Sequence, residues 1–389
     1  MPLGFGTLVV IVLAGLGGPL LSVLGKGLVP VVVGEIIAGI LVGPEVLDVV
    51  HPDDATIAAL GEIGFAMLML TVGMHLPLRE PRLAASLRSG LRLAAIVAVL
   101  AVPGGMLAAL IAGGGHAAVY GVVLASGSAA VLLPALQEAG LEGPGVMVVM
   151  AQVAIADVVT IVSVPIVLQP SRIGHALLGG LLVAVAAVLL LTAAQRLSGH
   201  EWVQRVRHLS KRRQWALDLR LSLLVLFLLA WLAQKGGTSV LIAGFSAGLM
   251  VAIVGGPKRL STQMRGVADG FFIPLFFVVL GARLDLAGLF GDAGVLALVG
   301  VLAVLNVAIH LASAALLHRS AAGGLAATAQ LGVPAAVASL GLSEHVLSPS
   351  TATAIVAAAL VSLATCSYGV ALLARPSALP APGGAPAPG

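Results

Sequence analysis

Residues 146–169 read VMVVMAQVAIADVVTIVSVPIVLQ, a run long enough to cross a bilayer as one helix, with Asp157 near its centre. A carboxylate at mid-membrane costs at least a few kcal/mol, so a chain that keeps one there uses it for binding or a pathway. Thr160 lies three residues on, on the same helical face, and offers a hydroxyl to the same ligand. The alternative is an acid held neutral or hydrogen-bonded between helices for packing alone. Asn, Ser or Thr would fill that role at lower cost.

The 389 residues are 59% hydrophobic and only 9% charged, against roughly 25% charged in soluble domains. The sequence therefore describes an all-α polytopic membrane protein. Its single cysteine, Cys366, allows no internal disulfide and no Cys-based metal cluster. The net charge of +4 does not mark a nucleic-acid binder, because the Lys and Arg residues lie between apolar spans. Residues 1–25 lack a basic segment ahead of their apolar stretch and read as a span rather than a cleaved signal.

Thirteen spans are expected, at roughly 4–24, 28–43, 57–76, 90–112, 117–138, 146–169, 174–197, 217–234, 238–255, 269–288, 294–317, 322–342 and 351–374. With the N-terminus outside and the C-terminus cytoplasmic, all of the 20 Lys and Arg residues but Arg172, Lys235 and Arg283 fall on the inside. Lys26 and Arg79 are among those inside, and the bias is the one that orients bacterial-type membrane proteins.

The second span, VGEIIAGILVGP, resembles the ninth, SVLIAGFSAGLMVA. The end of the third, FAMLMLTVGMHLPL, resembles the end of the tenth, PLFFVVLGARLDL. An offset of seven spans inverts the second copy, which signals two inverted repeats. The organisation expected is a first repeat at 1–169, a linker helix and basic cytoplasmic loop at 170–216, a second repeat at 217–375, and a disordered Pro/Ala/Gly tail at 376–389. In such proteins the site lies near the midplane, beside helices interrupted within the membrane. The fifth span carries Ser126-Gly127-Ser128 and then Pro134. Its repeat partner, the twelfth, carries Gln330, Gly332 and Pro334. Broken backbone at this depth is tolerated only where it is buried or lines a cavity, so two discontinuous crossing helices are expected around Asp157. Glu35 and Glu62, nearer helix ends, are candidates for the pathway. Arg283 is expected to pair with Asp285 or to reach the cavity.

Four stretches carry a resemblance: VPVVVGEIIAGILVGPEVL (29–47), LGEIGFAMLMLTVGMHLPLR (60–79), ASGSAAVLLPALQEAG (125–140) and IPLFFVVLGARLDL (273–286). In this order they resemble the monovalent cation:proton antiporters, specifically the cation:proton antiporter-2 branch, over nearly the whole chain. The resemblance implies a secondary transporter that exchanges Na⁺ or K⁺ for protons. It also implies a homodimer in the cytoplasmic membrane, with no cofactor beyond the transported ions and no enzymatic activity. The family's acidic or amide-Asp pair in the sixth helix is Ala156-Asp157 here, so the ion-binding acid is kept and its neighbour lost. The cation the family often places before the second crossing helix aligns with His310, one turn after Asn306. This makes His310 and Asn306 the charge-compensating or pH-sensing candidates. Gly332-Val333-Pro334 stands where the family has Gly-Glu.

A buried carboxylate holds either a proton or a hard cation, and Asp157, Ser126, Ser128 and Thr160 supply the oxygens a hard cation needs. Two other transport readings fit the same fold: a passive cation channel or uniporter, and an organic-anion symporter. The spans hold no paired aspartates, Ser/His pair or HExxH motif that would signal an intramembrane enzyme.

Overall fold

The computed structural model describes residues 4–24, 30–74, 81–213, 215–254 and 258–375. Lys26, Arg79 and the 376–389 tail lie outside the described residues. The described chain is helical, with no strand among the described residues. Ten helices are long and apolar enough to span a bilayer, and the shorter apolar helices Val31–Val42, Val240–Val254 and Gly332–Ser343 complete the thirteen spans expected.

Two segments differ from expectation. The tenth span starts earlier, at Lys258, passes through a π-turn at Ala268–Phe272, and ends at Ala282. Its first ten residues, KRLSTQMRGV, are an amphipathic helix too polar for an apolar-run criterion to find. The chain ends the span sooner because Asp285 starts a new helix, Leu286–Gly291, by accepting from Gly288 N at 2.5 Å. The basic stretch expected as a loop is likewise a helix, Glu201–Arg213.

The packed units cut across the two repeats. Spans one to three pack with spans eight to ten in a scaffold bundle. Spans four to six pack with spans eleven to thirteen in a second bundle, here called the crossing bundle. The seventh span lies against the eighth and ninth. Helices in lipid gain little from the hydrophobic effect and associate through close van der Waals packing, which small residues permit. The scaffold shows this at two repeat-related places. A Cβ on Gly281 of the tenth span would stand 3.1 Å from Gly39 Cα of the second. A Cβ on Gly248 of the ninth would stand 2.9 Å from Gly73 Cα of the third. At both places the neighbouring helix backbone occupies the space a side chain would need.

The bundles meet across a cleft of about 410 Å³ that Glu62, Phe65, Gln169, Gln234, Arg283 and Glu344 help to line. These residues come from the third, sixth, eighth and tenth spans and from the turn after the twelfth. In a thirteen-span alternation all of these ends lie on one side of the membrane. A second cavity of about 410 Å³, within the crossing bundle, is lined by Glu142, Gln152, Arg319 and Ser320, whose ends fall on the other side. A miscounted span would scatter both sets.

Candidate functional site

The fifth span is two helices, Ala117–Ala125 and Ala129–Glu138, joined by extended Ser126-Gly127-Ser128. Gly127 is required by proximity. A Cβ there would lie 3.0 Å from Val153 Cγ1 and 3.1 Å from Val153 O, one turn before Asp157 on the sixth span. The break is thereby pressed against the sixth span, and the helix that follows begins beside the acid. Ala129 N, at that helix's start, donates to Asp157 Oδ2 at 3.3 Å. A helix N-terminus carries partial positive charge and free N–H groups, so it stabilises an anion. Asp157 is 0% exposed, and its Oδ1 is buried with no hydrogen-bond partner.

The twelfth span is also two helices, Ala321–Ala326 and Gly332–Ser343, with residues 327–331 between them. Pro334 falls in the first turn of the second helix, where a missing N–H loses no helical bond. Pro134 sits inside Ala129–Glu138, past the first break. The breaks are therefore set by the Ser-Gly-Ser and Ala-Thr-Ala-Gln-Leu segments rather than by proline. Gly332 lies 3.6 Å, measured from its virtual Cβ, from Met69 Cε of the third span, where the crossing bundle touches the scaffold.

Freed backbone groups at this depth need partners, and side chains provide them. Val123 O, left open by the first break, accepts from Ser126 N at 3.1 Å, Ser126 Oγ at 2.7 Å and Gln330 Nε2 at 2.7 Å. Gln330 Nε2 also donates to Asn306 Oδ1 at 3.1 Å, and Asn306 Nδ2 donates to Thr328 O at 3.0 Å. Gln330 N donates to Ser362 Oγ at 3.0 Å. The Gln330 amide thus ties the second break to the first, and Asn306 holds the second break from the eleventh span.

Gln330→Leu should therefore lower the apparent melting temperature in detergent. It leaves Asn306 Oδ1 without this donor in a dry interior, a loss of about 1–3 kcal/mol. Gln234→Ala, which removes only a 3.3 Å surface contact to Glu62, should stay within roughly 0.5 kcal/mol of the parent. Equal melting of the two variants would show that the bridge holds nothing.

The structure brings Asp157, Thr160, Ser126, Gly127, Ser128, Gln330 and Asn306 to the two broken spans and their neighbours, all the side chains among them buried. Ser126 and Thr160 spend their hydrogens on backbone carbonyls, Thr160 on Ala156 O at 2.6 Å. Their lone pairs remain the atoms available to a cation. The Ser128 side chain makes no capping bond to the helix it precedes. His310 is one turn beyond Asn306, with Nδ1 donating to Asn306 O at 2.9 Å. Among the described residues neither it nor Asn306 bonds Asp157.

Glu62 and Arg283 line the cleft between the bundles. Arg283 does not pair with Asp285, because Asp285 caps a helix while Arg283 Nη2 donates to Pro52 O at 3.2 Å. Glu35 is buried inside the scaffold, facing Gly18 and the charge of Asp269, and does not line that cleft. The Gln330–Asn306 bridge leaves no signal in the sequence, which does not say which residues of two distant spans meet.

Two bundles of six spans, with two interrupted helices crossing beside a buried acid, define an integral membrane protein of the inverted-repeat transporter architecture. The profile of the family described as "Sodium/hydrogen exchanger, transmembrane" matches residues 8–374, and the chain belongs to that family. Its fold matches the sodium proton antiporter MjNhaP1 from Methanocaldococcus jannaschii with a TM-score of 0.62 at 18% identity, over 95% of this chain and 96% of that one. The chain is 24% identical over 378 residues to the putative Na(+)/H(+) antiporter YjbQ of Bacillus subtilis, covering 92% of this chain and 61% of that protein. It is 25% identical over 280 residues to the Na(+)/H(+)-K(+) antiporter GerN of Bacillus cereus, covering 71% of each. The chain thus spans about 61% of the length of YjbQ.

Proposed function

We propose that this chain exchanges a monovalent cation, Na⁺ or K⁺, for protons, with Asp157 holding one or the other. A single observation carries the reading: Asp157 Oδ1 is fully buried, unpartnered and without an ion pair. A carboxylate in that position is uncompensated unless a proton or a cation neutralises it. The oxygens nearby on the sixth span and the first break are hard ligands suited to an alkali ion. The relatives named as Na(+)/H(+) and Na(+)/H(+)-K(+) antiporters support the choice of ions.

The cycle follows from the division into bundles. The crossing bundle carries Asp157, and the scaffold supplies the wall it moves against. The cleft lined by Glu62, Arg283 and Glu344 is the entry on the side with few basic residues. We assign the basic end to the cytoplasm by the positive-inside bias. We assign to the chain the homodimer that its resemblance implies. Rocking the crossing bundle with a neutralised Asp157 carries either guest across, and an empty, charged Asp157 stalls in the low dielectric.

Flux in proteoliposomes tests the proposal, with Na⁺, K⁺ and Li⁺ gradients imposed in turn. Antiport moves protons against the cation gradient with no other solute present. Cation movement without coupled protons would make the chain a channel or uniporter. Silence until an organic anion is added would make it a symporter.

His310 is assigned a modulating role through Asn306, whose carbonyl its ring bonds and whose side-chain amide meets Gln330 at the second break. His310→Ala should shift the pH at which exchange is half-maximal while leaving the maximal rate within a few-fold. A superimposable pH profile would leave His310 a packing residue.

A further inference from the structure

The helix Glu201–Arg213 follows the seventh span after Gly199 and His200, and the eighth begins at Leu217. Tethered so closely at both ends, it stays at the basic end of the bundle. One stripe docks it. Ser210 is buried, with Oγ accepting from Leu217 N at 3.3 Å, and Arg207 Nε lies 3.5 Å from Asp218 Oδ1. Trp202, Val206 and Leu209, spaced i, i+4 and i+7, form a second stripe on another face, and all three are exposed. Beside it run Arg205, His208 and Arg212, also exposed, with Arg205 paired to Glu201 at 2.8 Å. Arg213 stacks over the half-exposed Trp215 at 5.8 Å. Two of the three tryptophans of the chain, and five Lys or Arg against one acid, fall between positions 201 and 215.

We propose that this helix lies in the headgroup layer of the membrane and binds anionic phospholipid. An apolar face carrying Trp, flanked by cations and held between two spans, matches a helix that buries one side at the acyl boundary. The adjoining arginines then attract acidic headgroups, at about the strength each basic residue near such a surface provides. Water would leave the Trp202–Leu209 stripe uncovered. A zwitterionic surface would cover that stripe but leave the excess cations of this helix without counter-charge. The helix joins the two repeats, so anionic lipid would pin that join at the surface. This inference is independent of the exchange reaction proposed above.

The test uses the whole protein in proteoliposomes, with Trp202 as the sole tryptophan in a W215F/W231F variant. Its fluorescence is measured with phosphatidylglycerol or phosphatidylcholine brominated high on the acyl chains. Quenching by both, several-fold more efficient with phosphatidylglycerol, is the expected result. Adding Arg205→Glu and Arg212→Glu should remove the difference between the lipids. A W202F/W215F variant, which keeps only Trp231 of the eighth span, should be quenched by both and verifies insertion. Equal quenching of Trp202 by the two lipids would overturn the anionic preference. No quenching of Trp202 while Trp231 responds would place the face in water or against another partner, and would overturn the proposal entirely.

Discussion

Asp157→Asn leaves the protein folded and removes cation-dependent proton movement in proteoliposomes. The substitution keeps size and shape, and the Asn carbonyl can still accept from Ala129 N. It removes the charge, and an amide neither releases a proton nor neutralises an alkali ion. The loss should be complete to the level of liposome leak, at least about a hundredfold. Losing a group that acts only by exchanging partners leaves no partial activity to fall back on. Stability should hold or rise, because a buried carboxylate without a partner is costly and its removal relieves that cost. The paired readout separates the explanations: a melting temperature at or above the parent with no exchange is the expected pattern. Exchange at parental rates would place the ion elsewhere, and loss of folding would return Asp157 to a structural role.

The second large effect is on assembly. Gly248→Val and Gly39→Val should each destabilise the scaffold by several kcal/mol and cut the yield of folded protein. A Cβ at Gly39 would stand 2.8 Å from Val278 Cα and still closer to Val278 O, and Gly248 meets Leu70 O and Gly73 in the same way. These neighbours are backbone, which cannot rotate aside as a side chain would. Overpacking of this kind costs about 1–3 kcal/mol where side chains can yield, and more where they cannot. Gly300 of the eleventh span has nothing within 4 Å of its virtual Cβ. Gly300→Ala should therefore be neutral or stabilise by up to about 1 kcal/mol through helix propensity. Thermal scans of the three purified variants check this ordering. If Gly39→Val melts with Gly300→Ala, the repeat-related helix contacts do not hold the scaffold together.

Much of the site was legible because lipid imposes a strict grammar. Every span had to be apolar, so a lone acid at Asp157, a Ser-Gly-Ser at 126–128 and a Gln at 330 stood out against it. The polar start of the tenth span and the Glu201–Arg213 helix escape an apolar-run criterion for the same reason. Polar amphipathic helices carry no long apolar run, and their period shows only when charged residues are counted around the helix. The Arg283–Asp285 pair failed because neighbouring opposite charges invite pairing in sequence, whereas Asp285 had a backbone N–H to cap three residues on.

The sequence by itself determined thirteen spans, their inverted repetition and one acid near the middle of the sixth, since the cost of exposing polar groups to hydrocarbon acts on each segment alone. Only the tertiary structure decided that halves of both repeats interleave into two bundles, that Gln330 ties the two breaks together at Val123 O, and that Arg283 turns to Pro52. Those outcomes depend on how closely particular backbones approach at glycines such as Gly127 and Gly248, a property of pairs of helices that no single span contains.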